Sequence, residues 1–397
     1  MTKLYYMPTK LVHGIDSLDQ IGDLAKGLGM SKVLLVTDPA VGKSPAFDKA
    51  KAMLDGAGVP YSVFDECEID ARLRHVDQEA KRILDDGMDG VISVGGGSVM
   101  CAGKAMAIVA GQGGGSFADY AGFGNFSMPA LPMIMVPTTA GSGSEVSQVT
   151  LVKDDIGHKK FLGGGPLSFP QVAILDPIVL ETCPQFVNAV ATVDAITHAM
   201  DSLFNTTTTP LTESMALEAL RVLVGGVQAS IFDKEPQAMA DHLLASSMAN
   251  MSCGNAKLGL SHTLSLPMES GMDLTHGVGV GVLMPRVFRY SAGFDPAMVM
   301  KVARAWEIDD SGSTDAVADR VEAAAYALFE TVGFPKYYDP ADVAPDSIAS
   351  IALEAGRGLY GEGYPEDNPN RDTRIPTFNL GTTSIGQGEE ILARCWT

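Results

Sequence analysis

DGVISVGGGSVMCAGK (89–104) runs from a β-branched apolar stretch into three successive glycines and on into a helical pattern. A strand that turns directly into a helix through glycines is the start of a βα unit. The glycines admit two readings. One is a tight turn that needs positive φ. The other is a backbone a ligand can approach closely, with the free amides and positive dipole end of the helix offered to a phosphate. Three glycines followed by Ser98 exceed what a turn requires, and a pyrophosphate site is expected there.

Outward from this stretch the βα rhythm continues. KVLLVTD (32–38), PYSVFDE (60–66), PMIMVPTT (132–139) and VAILDP (172–177) read as strands, and SPAFDKAKAMLDGAG (44–58) and HVDQEAKRILDDG (75–87) as helices. The alternation predicts a largely parallel, Rossmann-like sheet covered on both faces. From residue 182 the pattern changes to long helical segments at 185–204, 211–232, 236–258, 277–292, 312–333 and 343–357. The expected architecture is therefore α/β plus all-α: a dinucleotide-binding domain over 1–181 and a helical domain over 182–397, with chemistry in the cleft between them. The Gly-, Asn-, Pro- and Thr-rich tail after Arg357 reads as irregular until EEILARCW.

Composition narrows the function. The chain has 397 residues, 46% hydrophobic and 19% charged, with a net charge of −20. That charge repels phosphate backbones and anionic lipid surfaces, so neither nucleic acid nor membrane is an expected partner. The apolar run PALPMIMVP (129–137) is too short to span a bilayer and reads as a buried strand. MTKLYYMPTKLVHG has no apolar signal core, and five scattered cysteines form no CxxC pair. A reducing, cytoplasmic setting is expected.

Two near-misses are discarded. No G-x-G-x-x-G follows a strand, so the ordinary Rossmann fingerprint is absent, and DPAVGKS (38–44) has Thr37 where a P-loop needs its first glycine. Asp38, at the end of the first strand, can accept hydrogen bonds from a ribose and repel a 2′-phosphate. Capping the following turn explains it equally well. PTTAGSGSEVS (137–147) concentrates small hydroxyl and glycine residues at a strand end, as a phosphate or ribose pocket requires.

Four further residues point to a metal. Asp194 and His198 are four apart in DAITHAMD, so a helix presents both on one face. His262 and His276 lie fourteen apart in SHTLSLPMESGMDLTHG and can converge across a bend. Three imidazoles and a carboxylate suit Fe(II) or Zn with a position left for a substrate oxygen. The competing explanation for a D-x-x-x-H pair on an amphipathic helix is a cap beside a satisfied histidine. His13, His75, His158 and His242 are expected on the surface or in packing.

Together these motifs resemble the iron-dependent (group III) alcohol dehydrogenases over nearly the whole chain: VTD (36–38), GGGS (95–98), PTTAGSGSE (137–145), AILDP (173–177), DAITHAM (194–200), NAKLGLSH (255–262), THGVGVGVLMP (275–285) and DNP (367–369). The resemblance implies metal ligands Asp194, His198, His262 and His276, with His262 and His276 at the chemistry. It implies NAD held by Asp38, Gly96, Gly97, Ser98, Thr138, Thr139, Ser147, Lys160 and Leu180. It also implies reversible hydride transfer between NAD and a small alcohol or aldehyde, in a homodimer or larger assembly. LYYMP near the N-terminus would supply an edge strand for pairing.

The sequence departs from that family where chemistry is done. A second histidine often follows the third ligand by four residues; Leu266 stands there, so the proton is expected to leave through water and the cofactor ribose. Cys253 replaces a phenylalanine beside the substrate, Cys101 replaces the aspartate of GGGSxxD, and CEIDARLRHV (67–76) replaces PNPT. The losses of Phe and His open and grease the pocket. Lys257 reads as a solvated lysine. A dehydroquinate-synthase-like cyclase shares the layout but wants basic residues around a substrate phosphate. A maleylacetate-reductase-like enzyme would not keep all four ligands, and a binding protein would hold NAD without turnover.

Overall fold

The computed structural model describes residues 3–154, 160–272, 274–357, 375 and 377–396. The DNP match and His158 lie outside the described residues. Among the described residues nine strands follow in chain order: β1 Lys10–His13, β2 Val33–Val36, β3 Tyr61–Phe64, β4 Gly90–Gly95, β5 Gly122–Phe123, β6 Met133–Pro137, β7 Val149–Lys153, β8 Lys160–Gly164 and β9 Val172–Leu175. The chain divides into two compact units, Met7–Pro184 with Gln228–Ser247, and Met1–Tyr6 with Gln185–Val227 and Met248–Thr397.

The first unit holds a six-stranded parallel sheet in the order β1-β9-β6-β4-β2-β3. Its helices are α1 Ile21–Gly27, α2 Pro45–Ala57, α3 Leu73–Asp85, α4 Gly97–Gly111 and α5 Ile178–Glu181. Strands β2, β4, β6 and β9 are buried along their whole length. This is why they read as unbroken Val/Ile/Leu/Met runs rather than alternating ones. Local signals set the helix ends. Ser44 Oγ accepts from the Phe47 amide at 3.2 Å and Pro45 opens α2, while Gly58 closes it at φ 68°. Helix α4 lies so close to β4 that a Cβ on Gly103 would stand 2.0 Å from Ser93 Oγ. A second, three-stranded sheet orders β5-β8-β7, with β7 and β8 antiparallel.

The second unit is helical: α6 Gln185–Leu203, α7 Pro210–Gly225, the C-terminal part of α8 Pro236–Ala256, α9 Leu260–Gly271, α10 His276–Ser291, α11 Pro296–Ala305, α12 Thr314–Val332, α13 Ile348–Arg357 and α14 Ile385–Ala393. Besides β1, α1 and the small sheet, which were not expected, three features differ from the sequence expectation. The segment 211–232 is not one helix: α7 stops at Gly225, next to a second glycine that lowers helix propensity further, and Gln228–Phe232 forms a separate π-helical turn. Helices α9, α11 and α14 escaped the periodicity reading. Helix α9 did so because Pro267 lies inside it and burial around most of its surface leaves no polar stripe. Residues 3–9, which include LYYMP, form no strand within this chain. No helix of the described residues is long and apolar enough to cross a membrane.

All five cysteines are free thiols. Burial pushes Cys67 and Cys395 up to about 12 and Cys183 up to about 11, whereas burial lowers Lys104 to about 8. A thiol held protonated in the fold contributes stability that is complete below its unfolded value of 9.0 and is lost as pH rises toward 12. Lys104 acts in the opposite sense between about 8 and 10.5, because the unfolded chain then holds the extra proton. Four thiols, with Cys253 raised as well, against one lysine leave a net loss of about three protons, on the order of 4 kcal/mol per pH unit. Thermal midpoints measured from pH 7 to 11 should hold to about pH 9 and then fall steeply; a flat profile to pH 11 contradicts this assignment.

Candidate metal centre and dinucleotide site

The residues expected at a dinucleotide gather along one edge of the large sheet. Parallel strands share a carboxyl end, and β9, β6, β4 and β2 are successive neighbours. Leu180 follows β9, Thr138 and Thr139 follow β6, Gly96, Gly97 and Ser98 follow β4, and Asp38 follows β2. In open α/β sheets this edge is where ligands bind. The Thr138 amide donates to Gly95 O at 3.0 Å, and Thr37 Oγ1 donates to Val94 O at 2.8 Å, which ties the three turns together.

The glycines of GGGS do not serve a positive-φ turn. Gly96 caps α4 at φ −75°, and none of Gly95, Gly96 and Gly97 has positive φ. What they need is room. A Cβ on Gly95 would lie 2.5 Å from Val99, and one on Gly97 would lie 3.0 Å from Ser142. A Cβ on Gly96 meets only Thr139, at 3.7 Å, so its absence leaves the first turn of α4 bare. The backbone-approach reading is the one the geometry favours. Asp38 does cap its turn: Oδ1 accepts from the Ala40 amide at 2.8 Å and the Val41 amide at 2.9 Å.

Ser147 lies on the loop after β6, where its Oγ accepts from the Val149 amide at 3.1 Å. Sequence reading missed what holds this loop. Lys104, fully buried in α4, donates to Ser144 O at 2.8 Å, Ser147 O at 3.1 Å and Val149 O at 2.6 Å. Buried Glu145 is hydrogen-bonded to Ser247 Oγ at 2.6 Å, and burial raises its carboxyl above the ordinary range. Cys101 Sγ sits 3.9 Å from Ser144 Oγ, so the residue in the place of the family's aspartate packs against the same loop. Lys160 is on β8, and Leu180 is wholly buried with its carbonyl accepting from Lys234 Nζ at 2.8 Å.

The four proposed metal ligands converge. One ligand atom from each of Asp194, His198, His262 and His276 lies within 4.8 Å of the others. Asp194 Oδ1 is 3.8 Å from His198 Nδ1, 4.0 Å from His262 Nε2 and 3.6 Å from His276 Nε2. The cap-and-packing explanation fails on two counts. Asp194 is in the middle of α6, which is buried nearly all round from Thr192 to Leu203. And Asp194 Oδ1, His198 Nδ1 and His262 Nε2 are buried without a hydrogen-bond partner among the described residues. Several orphaned acceptors aimed at one point are costly unless a cation answers them. Burial also lowers His198 to about 4, so it stays neutral and keeps a lone pair.

The second rank of this cluster was not read from the sequence. His262 Nδ1 donates to Asp201 at 2.8 Å, and Ser261 Oγ donates to the other oxygen of the same carboxylate at 2.8 Å. His276 Nδ1 donates to Glu269 at 2.8 Å, which also accepts from Ser265 Oγ at 2.6 Å. Each acceptor holds the proton on Nδ1 and leaves Nε2 as the donor atom for a metal. The available signal was spacing: Asp201 and Glu269 each follow a ligand by seven residues, two helical turns, on the same face. Glycines make the approach possible. A Cβ on Gly259 would lie 2.7 Å from the Asp201 carboxylate carbon. In HGVGVG, a Cβ on Gly277 or Gly281 would strike α6 at Val190 or Val193, and one on Gly279 would strike Ser265 of α9. Alternate glycines therefore let α10 lie against both ligand-bearing helices.

The profile of iron-containing alcohol dehydrogenases matches residues 8–177, and that of the family's C-terminal part matches residues 188–372. The chain belongs to the iron-containing alcohol dehydrogenase family. It is 30% identical to choline dehydrogenase of Bacillus subtilis over 368 residues, 91% of each chain. It is 30% identical to 1,3-propanediol dehydrogenase of Klebsiella pneumoniae over 362 residues, 89% of this chain and 93% of that one. A solved 1,3-propanediol oxidoreductase superposes with a TM-score of 0.91 at 26% identity, covering 100% of both chains.

Two departures from the family pattern have a physical description. Cys253, on α8, is buried, and burial, with the Asp201 and Asp194 carboxylates, pushes its thiol well above the ordinary range. It is therefore a small apolar side chain rather than a thiolate ligand. Leu266 is on α9, one turn beyond His262. Lys257 is exposed with left-handed φ 71°, in keeping with a solvated lysine.

Proposed function

We propose that this chain is an NAD- and metal-dependent alcohol dehydrogenase that interconverts a small alcohol and its aldehyde or ketone. One observation carries the reading: a carboxylate and three imidazoles meet, with acceptor atoms buried and unanswered. When bound, a divalent metal supplies Lewis acidity at the alcohol oxygen and NAD exchanges the hydride. Asp194, His198, His262 and His276 would hold the metal, which the donor set allows to be Fe(II) or Zn. His276 has a side chain 38% exposed, unlike the other three ligands, so the open position faces the His276 side.

Gly96, Gly97 and Ser98 would take the pyrophosphate at the start of α4, with Thr138, Thr139, Ser147, Lys160 and Leu180 lining the remainder. Asp38 is fixed by its own turn amides, and its charge disfavours a 2′-phosphate, which supports NAD over NADP. Leu266 and Cys253 make the reacting end apolar and leave it without a side-chain proton relay on α9. With no relay there, proton release would fall to solvent and to the hydroxyls that a bound cofactor would supply. The assembly is a cytoplasmic homodimer or larger.

The test combines chelation with repletion. Purified protein assayed for NAD reduction across a panel of alcohols should lose activity with a strong chelator and regain it with Fe(II) or Zn. Its thermal midpoint should fall on chelation, because a ligand bound only to the native state stabilises it. Full turnover in metal-free protein, or turnover with no change in NADH, overturns the reading; the second result points to a cyclase.

A further inference from the structure

Glu145 sits in the loop after β6 that Lys104 holds, 2% exposed in the turn Ser144–Val146. Its Oε1 is 2.6 Å from Ser247 Oγ on α8, and the same hydroxyl lies 3.2 Å from Leu243 O of its own helix. A hydroxyl has one hydrogen, so an ionised Glu145 and the Leu243 carbonyl would both draw on it. Glu145 Oε2 is buried without a donor among the described residues. Lys104 does not supply one, because its three hydrogens go to Ser144 O, Ser147 O and Val149 O. An ionised carboxylate here would share one hydrogen and leave an oxygen unanswered, at far greater cost than a neutral acid.

Protonation resolves the conflict. The Oε1 hydrogen goes to Ser247 Oγ, the Ser247 hydrogen turns to Leu243 O, and Oε2 becomes an uncharged carbonyl oxygen. We propose that Glu145 works as a neutral carboxylic acid, a positioning residue whose proton latches the loop carrying Ser147 onto α8 and so keeps the dinucleotide site in shape. The inference rests on the NAD reading above. Burial, which raises the Glu145 carboxyl, agrees with it, and the Lys104 charge opposes it. Of the other elements packed on this turn, β6 and β9 bear no charged side chain, and α4 adds Cys101. On α8, Asp241 and His242 stand six and five residues before Ser247, on other faces of the helix.

Glu145→Gln tests the protonation, since glutamine copies the neutral acid with one donor and one carbonyl oxygen. The infrared difference spectrum of wild type against this variant, at neutral pH, should contain the stretching band of a protonated carboxyl. Unfolding constants from denaturant titration give a second readout. The native acid keeps a proton that the unfolded chain loses above 4.5, so its stabilising effect is complete below that pH and is lost as pH rises. The wild-type unfolding constant should therefore climb relative to that of Glu145→Gln by about tenfold per pH unit until the native carboxyl ionises. Calorimetric titration should show Glu145→Gln binding NAD within about twofold of wild type and Glu145→Ala about tenfold more weakly. Absence of the carboxyl band, or a ratio of unfolding constants that does not change with pH, overturns the neutral acid. Wild-type NAD affinity in Glu145→Ala overturns the positioning role. A wild type that binds no NAD fails the cofactor reading and takes the positioning role with it, while the band and the pH dependence still decide the protonation.

Discussion

His262→Ala should lower turnover by on the order of 10³-fold and leave the purified protein largely free of metal. His262 contributes the most constrained of the imidazoles. It is 2% exposed, stacks on His198 at 4.7 Å between ring centroids, and is fixed in its tautomer by Asp201. Alanine removes a donor atom, and no neighbouring side chain on α9 replaces it. Asp201→Asn is the graded companion. It keeps the size of the side chain but weakens its hold on the Nδ1 proton, and should cost about 10- to 100-fold in metal affinity or activity. Elemental analysis and steady-state kinetics check both. Equal loss in the two variants would mean that Asp201 acts as more than an orienting acceptor, and wild-type metal content in His262→Ala would remove His262 from the ligand set.

Lys104→Met should destabilise the α/β unit by about 2–4 kcal/mol and weaken NAD binding at least about tenfold. The ammonium answers three carbonyl oxygens on the 144–149 loop and lies near the raised carboxyl of Glu145. Methionine fills the volume but leaves those oxygens buried without donors. The cost is moderated because the ammonium itself pays for its burial, as its lowered value of about 8 records. The loop carries Ser147, so loosening it should raise KM for NAD more than it lowers kcat. Denaturant unfolding and cofactor titration check the two halves separately. A variant with native NAD affinity would show that the loop is held well enough without Lys104.

Much of the α/β fold was legible because its strands are buried on both faces and its turns carry glycine or proline. Those signals are local. VLLV, VISV and MIMV can only be interior strands, and Ser44-Pro45 with Gly58 brackets α2 without help from distant residues. The small sheet was less visible. Its strands are short and partly exposed, and the β7–β8 pairing runs between residues with no distinctive alternation. Helix α9 was missed for a related reason: in SHTLSLPMES the polar residues at 261, 262, 263, 265 and 269 are buried, and all but Thr263 serve the metal ligands and their acceptors.

The metal ligands were legible as types and spacings, since a four-residue interval on a helix is a geometric statement in itself. Their acceptors were not, because nothing in a lone aspartate or glutamate says which imidazole it will meet. Glycine roles were half legible. GGGS announced a backbone close to something, yet whether it served positive φ or close approach depended on where Val99 and Ser142 fell.

Sequence alone determined the order of elements, the carboxylate and imidazoles available to a metal, and the glycine turn open to a phosphate, because each is written in neighbouring residues. Only the tertiary structure decided that Asp201 and Glu269 orient the histidines, that Lys104 holds the loop after β6, and that Glu145 ties the same loop to Ser247. Those partners are separated in the chain by up to 102 residues. Hydrogen bonds and charges act over a few ångströms of space, whatever the distance along the backbone.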